Sequence, residues 1–406
     1  YVNVINEGDF HTEALTVSGN KVTDKDNKEV NPIDIYVERL AAKVSMLLPE
    51  DNKFEITMTV ADDEADKDHN GDVTAKTRLF LEITGLTVAN VEPQSYIAKN
   101  IEGLNNPLNG WDWNKSVDFR SHWAKSMLYG DNFDATKLVG ATFADAIENG
   151  TKPVYTYETT NTLANVINGA DASTEAQRVY DPNVACALIT AKIVGEDNKA
   201  VELIKFQGNF YEKNTFINYI LARLNAQPAG LNYYTKTEKE DGTIEYNQID
   251  TTCINLSLAG TGIGHVNLTL KSGLDLYSKN SEGAYTATAA GTAANAINGR
   301  IADIITASNP AEAFAGGSCY YTIPIAHMVQ LTDKTKKYYA DKEAQFGIVR
   351  NHWYQLQITN VAKLGHGIFD PDKEEIKPEI PQDDTYGVAA QIHVLSWKIV
   401  NQQVDL

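Results

Sequence analysis

Short runs of Val, Ile, Thr and Tyr, broken by Asn, Asp and Gly, recur along the chain and predict antiparallel sheet. The clearest lie at 53–60, 79–88, 186–194, 253–258, 266–270 and 352–359. Polar stretches such as 24–29 and 196–199 read as turns between such strands. Helical periodicity is rarer. Over 211–226, Phe216, Ile220 and Leu224 recur four residues apart, and over 293–307, Ile297, Ile301 and Ile304 or Ile305 share a face. The strands do not alternate regularly with helices, as a doubly wound parallel sheet requires, so the helices read as insertions decorating a β-sandwich. The fold class this predicts is all-β with minor helices.

The carboxyl end carries the most informative pattern. From Ile392 to Val400 the segment is apolar on both faces, like a strand buried on two sides. Beyond it, Val400, Val404 and Leu406 take one parity and Asn401, Gln403 and Asp405 the other, which is a half-buried strand. Ends of chains are ordinarily frayed and polar unless something holds them. Either this strand completes the sheet of its own subunit, or it joins the sheet of a neighbour. A division near Val400, with the earlier part at home and the remainder projecting, reconciles the two.

At 406 residues the chain exceeds one ordinary core, so two domains are expected. The turn Tyr180-Asp-Pro-Asn183 precedes a strong strand and places the boundary near 180, giving 1–180 and 181–406. No run approaches the roughly 18 apolar residues that span a bilayer. A formal charge of −19 argues against nucleic acid, whose phosphates demand Lys and Arg clusters. Cys186, Cys253 and Cys319 are odd in number and form no CxxC, so they read as small buried hydrophobes, with one pair able to bridge in an oxidising compartment.

Several segments together resemble the shaft pilins of Bacteroidales type V fimbriae, those of the short fimbria most. They are Tyr36-Val-Glu38-Arg39-Leu-Ala-Ala-Lys43-Val, Ser95-Tyr96-Ile-Ala-Lys-Asn, Tyr155-Thr-Tyr157-Glu158-Thr-Thr-Asn161-Thr, Cys319-Tyr-Tyr321-Thr-Ile-Pro324-Ile, Phe346-Gly-Ile-Val-Arg350-Asn351-His352-Trp353-Tyr354 and the tail from Trp397. The resemblance implies two transthyretin-like β-sandwich domains in tandem, and a lipoprotein precursor exported to the outer membrane. It further implies that a trypsin-like protease removes an N-terminal segment, with which a start at Tyr1 is consistent. The groove left behind would accept the C-terminal strand of a neighbour, with Trp397, Ile399, Val400, Val404 and Leu406 as donor side chains. The implied partners are copies of the same chain, anchor and tip subunits, and host or bacterial surface receptors. The stretch Glu158-Thr-Thr-Asn161 departs from the family's Glu-Asn-Thr spacing, so no role is carried over to it.

Signals for chemistry are sparse. Asp66-Lys-Asp68-His-Asn70-Gly71-Asp72 matches the opening of a calcium loop, but the twelfth position is Thr77 rather than a bidentate Glu. Asp66, Asp68, Asn70 and Asp72 are therefore candidate ligands of a structural calcium ion, set against a plain solvated acidic loop. Gly260-Thr-Gly262-Ile-Gly264 opens no helix and reads as a loop or bulge. No HExxH, GxSxG or P-loop occurs, and His122, His327, His352, His366 and His393 share no metal spacing; His352 reads as part of a packed strand. Trp111, Trp113, Trp123 and Tyr129 form an aromatic cluster suited to core packing or to stacking on a glycan. Two functions are thus set side by side. One is a non-enzymatic, polymerising shaft pilin of a cell-surface fimbria, serving adhesion and biofilm formation. The other is a secreted β-sandwich module that binds glycan or protein as a monomer.

Overall fold

The computed structural model describes residues 16–18, 21–23, 26, 28, 39–61, 76–104, 119–120, 124–148, 152–160, 167–168, 179–180, 183–228, 230–258, 266–325, 327, 347–361, 363–376 and 388–396. Its main strands are β1 (Ala41–Leu47), β2 (Lys53–Ala61), β3 (Lys76–Ala89), β4 (Val154–Tyr157) and β5 (Cys186–Val194). They continue with β6 (Leu203–Phe206), β7 (Asn209–Tyr211), β8 (Glu312–Phe314), β9 (Ser318–Pro324), β10 (His352–Val361), β11 (His366–Gly367) and β12 (Val388–Ser396). Helices α1 (Lys213–Asn225) and α2 (Ala290–Ala302) lie between β7 and β8. The chain is all-β with minor helices, as the periodicity predicts.

Two sheets share one core. The larger runs β8-β6-β7-β2-β3-β5-β9-β11, and the smaller runs β12-β10-β1-β4. Alternation explains the packing of β2, where Phe54, Ile56 and Val60 point inward and Glu55 outward. In β3 the inward parity changes: Leu79, Leu81 and Ile83 are followed by Leu86 and Val88. The cause is a bulge, since Thr190 of β5 faces Gly85 while Ala191 faces Ile83, leaving Thr84 as the extra residue. A Gly suits that position, because a Cβ there would stand 2.9 Å from the Ala146 Cβ. Strand β5 is buried on both faces apart from Lys192, which fits its largely apolar sequence. Ala187, Ile189, Ala191 and Ile193 enter the main core, while Leu188 packs with Tyr320, Ile368 and Ile376 on the other side.

The expected division into tandem units at 180 takes a different form. β3 pairs with β5, β1 pairs in parallel with β10, and β2 pairs in parallel with β7. Each pairing crosses residue 180, and the main core gathers residues from Ala42 to Val361. Pattern along the chain sets which residues face inward, but not which distant strand supplies the partner. A second core does exist, formed by α1, α2 and the strands around them, with Phe206, Phe216, Ile220, Leu224, Ile297 and Ile301 buried. It is an excursion between β5 and β9 rather than a domain beginning at 181. Both helices fall close to where periodicity put them. The hairpin leading into α1 turns on Gln207 and Gly208, both at positive φ, as a two-residue hairpin requires.

Cys186, Cys253 and Cys319 are all buried and unbridged, and burial pushes the Cys186 and Cys319 thiols up to about 12. They are hydrophobes in function, as their spacing suggests.

A charged clamp joins the two end strands of the larger sheet, β8 and β11. Glu312 of β8 accepts from Gly367 N (2.7 Å) and faces Lys205 Nζ (3.2 Å) and His366 Nδ1 (3.7 Å). Burial alone would raise the Glu312 carboxyl, but His366, Lys205 and the Gly367 N–H overcome it and hold the group at about 2. Because the folded value lies below the ordinary 4.5, this stabilisation is present above 4.5 and is lost as pH falls toward about 2. His352 adds an earlier acid penalty: burial lowers its affinity for a proton below the ordinary 6.5, so protonating it costs folding free energy. Acid unfolding followed by circular dichroism should therefore weaken in two windows. Glu312→Gln should cost on the order of 2 kcal/mol at neutral pH and flatten the lower window; an unchanged acid profile would refute this clamp.

Candidate functional site

The described part of the molecule centres on a buried polar knot at one end of the smaller sheet. Strand β10 is preceded by Arg350, whose side chain is 2% exposed, and Glu158 follows β4 at 1%. Arg350 Nε donates to Glu158 Oε2 at 2.8 Å. The remaining guanidinium nitrogens reach the Ser95 hydroxyl (3.0 Å) and the Ile97 carbonyl (3.3 Å), and Glu158 Oε1 accepts from Ala124 N (3.1 Å). Thr159 Oγ1 accepts from Glu92 N, and Ser126 Oγ from Thr160 N. Lys99 Nζ donates to the carbonyls of Phe119 (2.7 Å) and Arg120 (3.2 Å). Four segments remote in sequence, 91–100, 124–128, 158–160 and 347–352, are thereby fixed to one another. A planar fork with several matched acceptors is what makes a buried guanidinium tolerable.

Beside the knot, His327, His352 and Tyr354 pack together: Tyr354 Oη lies 2.9 Å from His327 Nδ1 and accepts from Val349 N (2.8 Å). Burial pushes the Tyr354 phenol well up. His352 contacts the Arg350 carbonyl and is buried on its strand, in line with the packed-strand reading. Nothing in the sequence spacing announces His327 as its neighbour. The rings hold one another and the backbone.

The second feature is a groove of about 520 Å³ along the edge of the sandwich. Strand β4 is the outermost described strand of the smaller sheet, paired on one side with β1 through Ala41↔Tyr157 and Lys43↔Tyr155. Tyr155 and Tyr157 are 58% and 41% exposed, while Thr156 turns inward. Val88, Val91, Pro93 and Ala141 give the groove its apolar wall, and Glu92 lies in it. Burial pushes the Glu92 carboxyl up, although Leu128 N donates to Oε1 at 2.8 Å. Its Oε2 has no hydrogen-bond partner among the described residues. An edge strand beside apolar pockets, with an unused buried acceptor, is a place where another strand can pair.

Strand β12 ends the described chain. It pairs antiparallel with β10 over nine residues, from His352↔Ser396 to Val361↔Val388. The part of the terminal segment up to Ser396 thus belongs to its own sheet. Trp397, Ile399, Val400, Val404 and Leu406 lie outside the described residues, as do Tyr1, the acidic loop with Asp66, Asp68, Asn70 and Asp72, and Trp111, Trp113 and Trp123. Among the described residues no group of three or more His, Cys, Asp or Glu could hold a metal, and no helix is long and apolar enough to cross a membrane. The structure brings together three of the segments on which the family resemblance rests, through Ser95, Glu158 and Arg350. Glu158, given no role from spacing, is the partner of Arg350.

Among the described residues the chain is an all-β sandwich with a paired C-terminal strand and β4 at the edge of its smaller sheet. Residues 312–403 match the family model described as major fimbrial subunit protein type IV, fimbrillin, C-terminal. That stretch begins at β8 and includes Arg350, β10, β12 and most of the terminal segment. The match supports a role as a fimbrial subunit. No curated protein matches the chain.

Removing one member of the Arg350–Glu158 pair should be worse than removing both. Arg350→Met or Glu158→Leu alone should each cost about 3–5 kcal/mol in urea unfolding, since either strands a buried charge. The double variant should cost clearly less than the sum, and strict additivity of the two would show that the groups act independently.

Proposed function

We propose that the protein is a structural shaft subunit of a cell-surface fimbria that polymerises head-to-tail by strand exchange. The observation that carries this reading is the terminal segment: its fimbrillin-matched strand is seated at home to Ser396, and from Val400 the chain continues in a half-buried-strand pattern. In this reading Trp397, Ile399, Val400, Val404 and Leu406 leave the home sheet and enter the groove beside β4 in the next copy. The incoming backbone pairs with that edge, and alternate side chains enter the wall formed by Val88, Val91 and Pro93. Full burial of each donor side chain contributes roughly 1.5–3 kcal/mol. Ordering the tail costs roughly 1–2 kcal/mol per residue, so the net is much smaller than the sum. Durability then rests on slow withdrawal of the strand as much as on affinity. Donor and acceptor are different surfaces, so the contact is heterologous and extends as a filament unless its rotation closes.

The same reading includes export as a lipoprotein precursor, proteolytic trimming ahead of Tyr1, anchoring at the outer membrane, and anchor and tip partners. Adhesion and biofilm formation follow from the fibre and its receptors. Deleting 402–406 should leave a folded monomer that no longer forms ladders on unheated gels. With only buried, unreactive native thiols present, the pair Tyr157→Cys and Val404→Cys should form a disulfide between copies. A truncated chain that still polymerises would exclude the tail as donor, and polymers without that cross-link would exclude this groove as acceptor.

A structural calcium ion on Asp66, Asp68, Asn70 and Asp72 belongs to the proposal as well. Chelation should then lower the melting temperature by a few degrees, on the scale of about 1 kcal/mol. Asp68→Asn should abolish the response, and a melting curve indifferent to chelator would remove the ion.

A further inference from the structure

The helical excursion carries an opening of its own, about 1070 Å³, between α1, the chain that follows it, and the segment after α2. Leu231, Ile249 and Ile304 give it an apolar floor. Four of the amides in its walls are each clamped at one end by a partner that fixes the orientation of the group. Asn225 Oδ1 accepts from Leu231 N (3.2 Å), and Gln227 Oε1 accepts from Arg300 Nε (2.7 Å). Gln248 Nε2 donates to the Leu231 carbonyl, and Asn309 Nδ2 donates to the Ile304 carbonyl (3.2 Å). Backbone N–H and guanidinium can only donate, and backbone carbonyls can only accept, so no amide can turn over without breaking its clamp. The unclamped ends are two donors, on Asn225 and Gln227, and two acceptors, on Gln248 and Asn309. None of these ends has a hydrogen-bond partner among the described residues.

We infer that this cleft binds a neutral oligosaccharide. Hydroxyl groups both donate and accept, so a polyol satisfies fixed donors and fixed acceptors side by side, while its C–H faces lie on the apolar floor. Charge disfavours an anion: Asp250 and Asp303 line the cleft, and Arg223 is drawn to Tyr219 Oη (2.9 Å) and Gln207 Oε1 (3.4 Å). Gln207 also accepts from Tyr219 Oη and holds positive φ, a conformation that a side chain other than Gly adopts at a cost. Pre-set amides lower the ordering cost of a ligand that makes many weak contacts.

The full chain should be screened against immobilised neutral oligosaccharides containing mannose, galactose, glucose or N-acetylglucosamine, with sialylated and sulfated glycans and an unstructured peptide as comparators. The best ligand is then titrated by calorimetry. Binding to at least one neutral glycan is expected. Asp303→Arg should weaken it at least about tenfold, because it lays a long cation across the mouth. Asp303 is exposed at the C-terminal end of α2, where a cation suits the helix, so the variant should keep its melting temperature. Gln248→Leu should weaken binding independently, and the chain lacking 402–406 should bind as the full chain does, which separates this site from polymerisation. Retention of only anionic glycans or the peptide, absence of any binding at millimolar concentration, or full binding by Asp303→Arg would each overturn the assignment.

Discussion

A guanidinium almost without access to water must find a carboxylate, and Arg350 finds Glu158 across 192 positions of chain. The rest of the structure is arranged around that match. Arg350 stands at the entry to β10, and β10 is the strand on which β1 lies in parallel and β12 antiparallel. Parallel pairing needs a long crossover, which here carries the larger sheet and the helical excursion. The ion pair therefore sits at the junction between the beginning and the end of the fold. Its worth lies less in net stabilisation, which desolvation largely cancels, than in fixing a single arrangement of four segments that share no local contact.

That arrangement leaves the small sheet with two different edges. On one, β12 ends the described chain at Ser396; on the other, β4 fronts an apolar groove. In the proposed reading, the tail beyond β12 and the edge at β4 are the two different surfaces that a filament of one kind of subunit needs. Both edges belong to the one sheet that the knot holds. The helical excursion shares none of these elements apart from the strands it departs from. Its cleft lies against α1 and the segment after α2, and shares no lining residue with the groove beside β4.

Acidity enters at the periphery rather than at the knot. Glu312 of β8 clamps β6 and also β11, joining strands from the two ends of the larger sheet's order. Gly367 permits this closeness, since a Cβ there would collide with the Ala313 carbonyl.

Period-two and period-four patterns in the sequence located β2, β3, β5, β10 and both helices, because burial on one face imposes its spacing on the residues nearest in the chain. The three cysteines could likewise be read as hydrophobes. The sequence also gave the class of fold and, through dispersed motifs, a family resemblance that the match over 312–403 supports. Strand partners were beyond it: a boundary at 180 was the natural reading of length and turn chemistry, and β3–β5, β2–β7 and β1–β10 all cross it. The partnership of Arg350 with Glu158 was equally hidden, as was that of His327 with His352, and so were the amides of the cleft, drawn from 225 to 309. Side-chain alternation records which way a residue faces. Only the closed structure, where each buried charge and each strand edge must be matched, decides what it meets there.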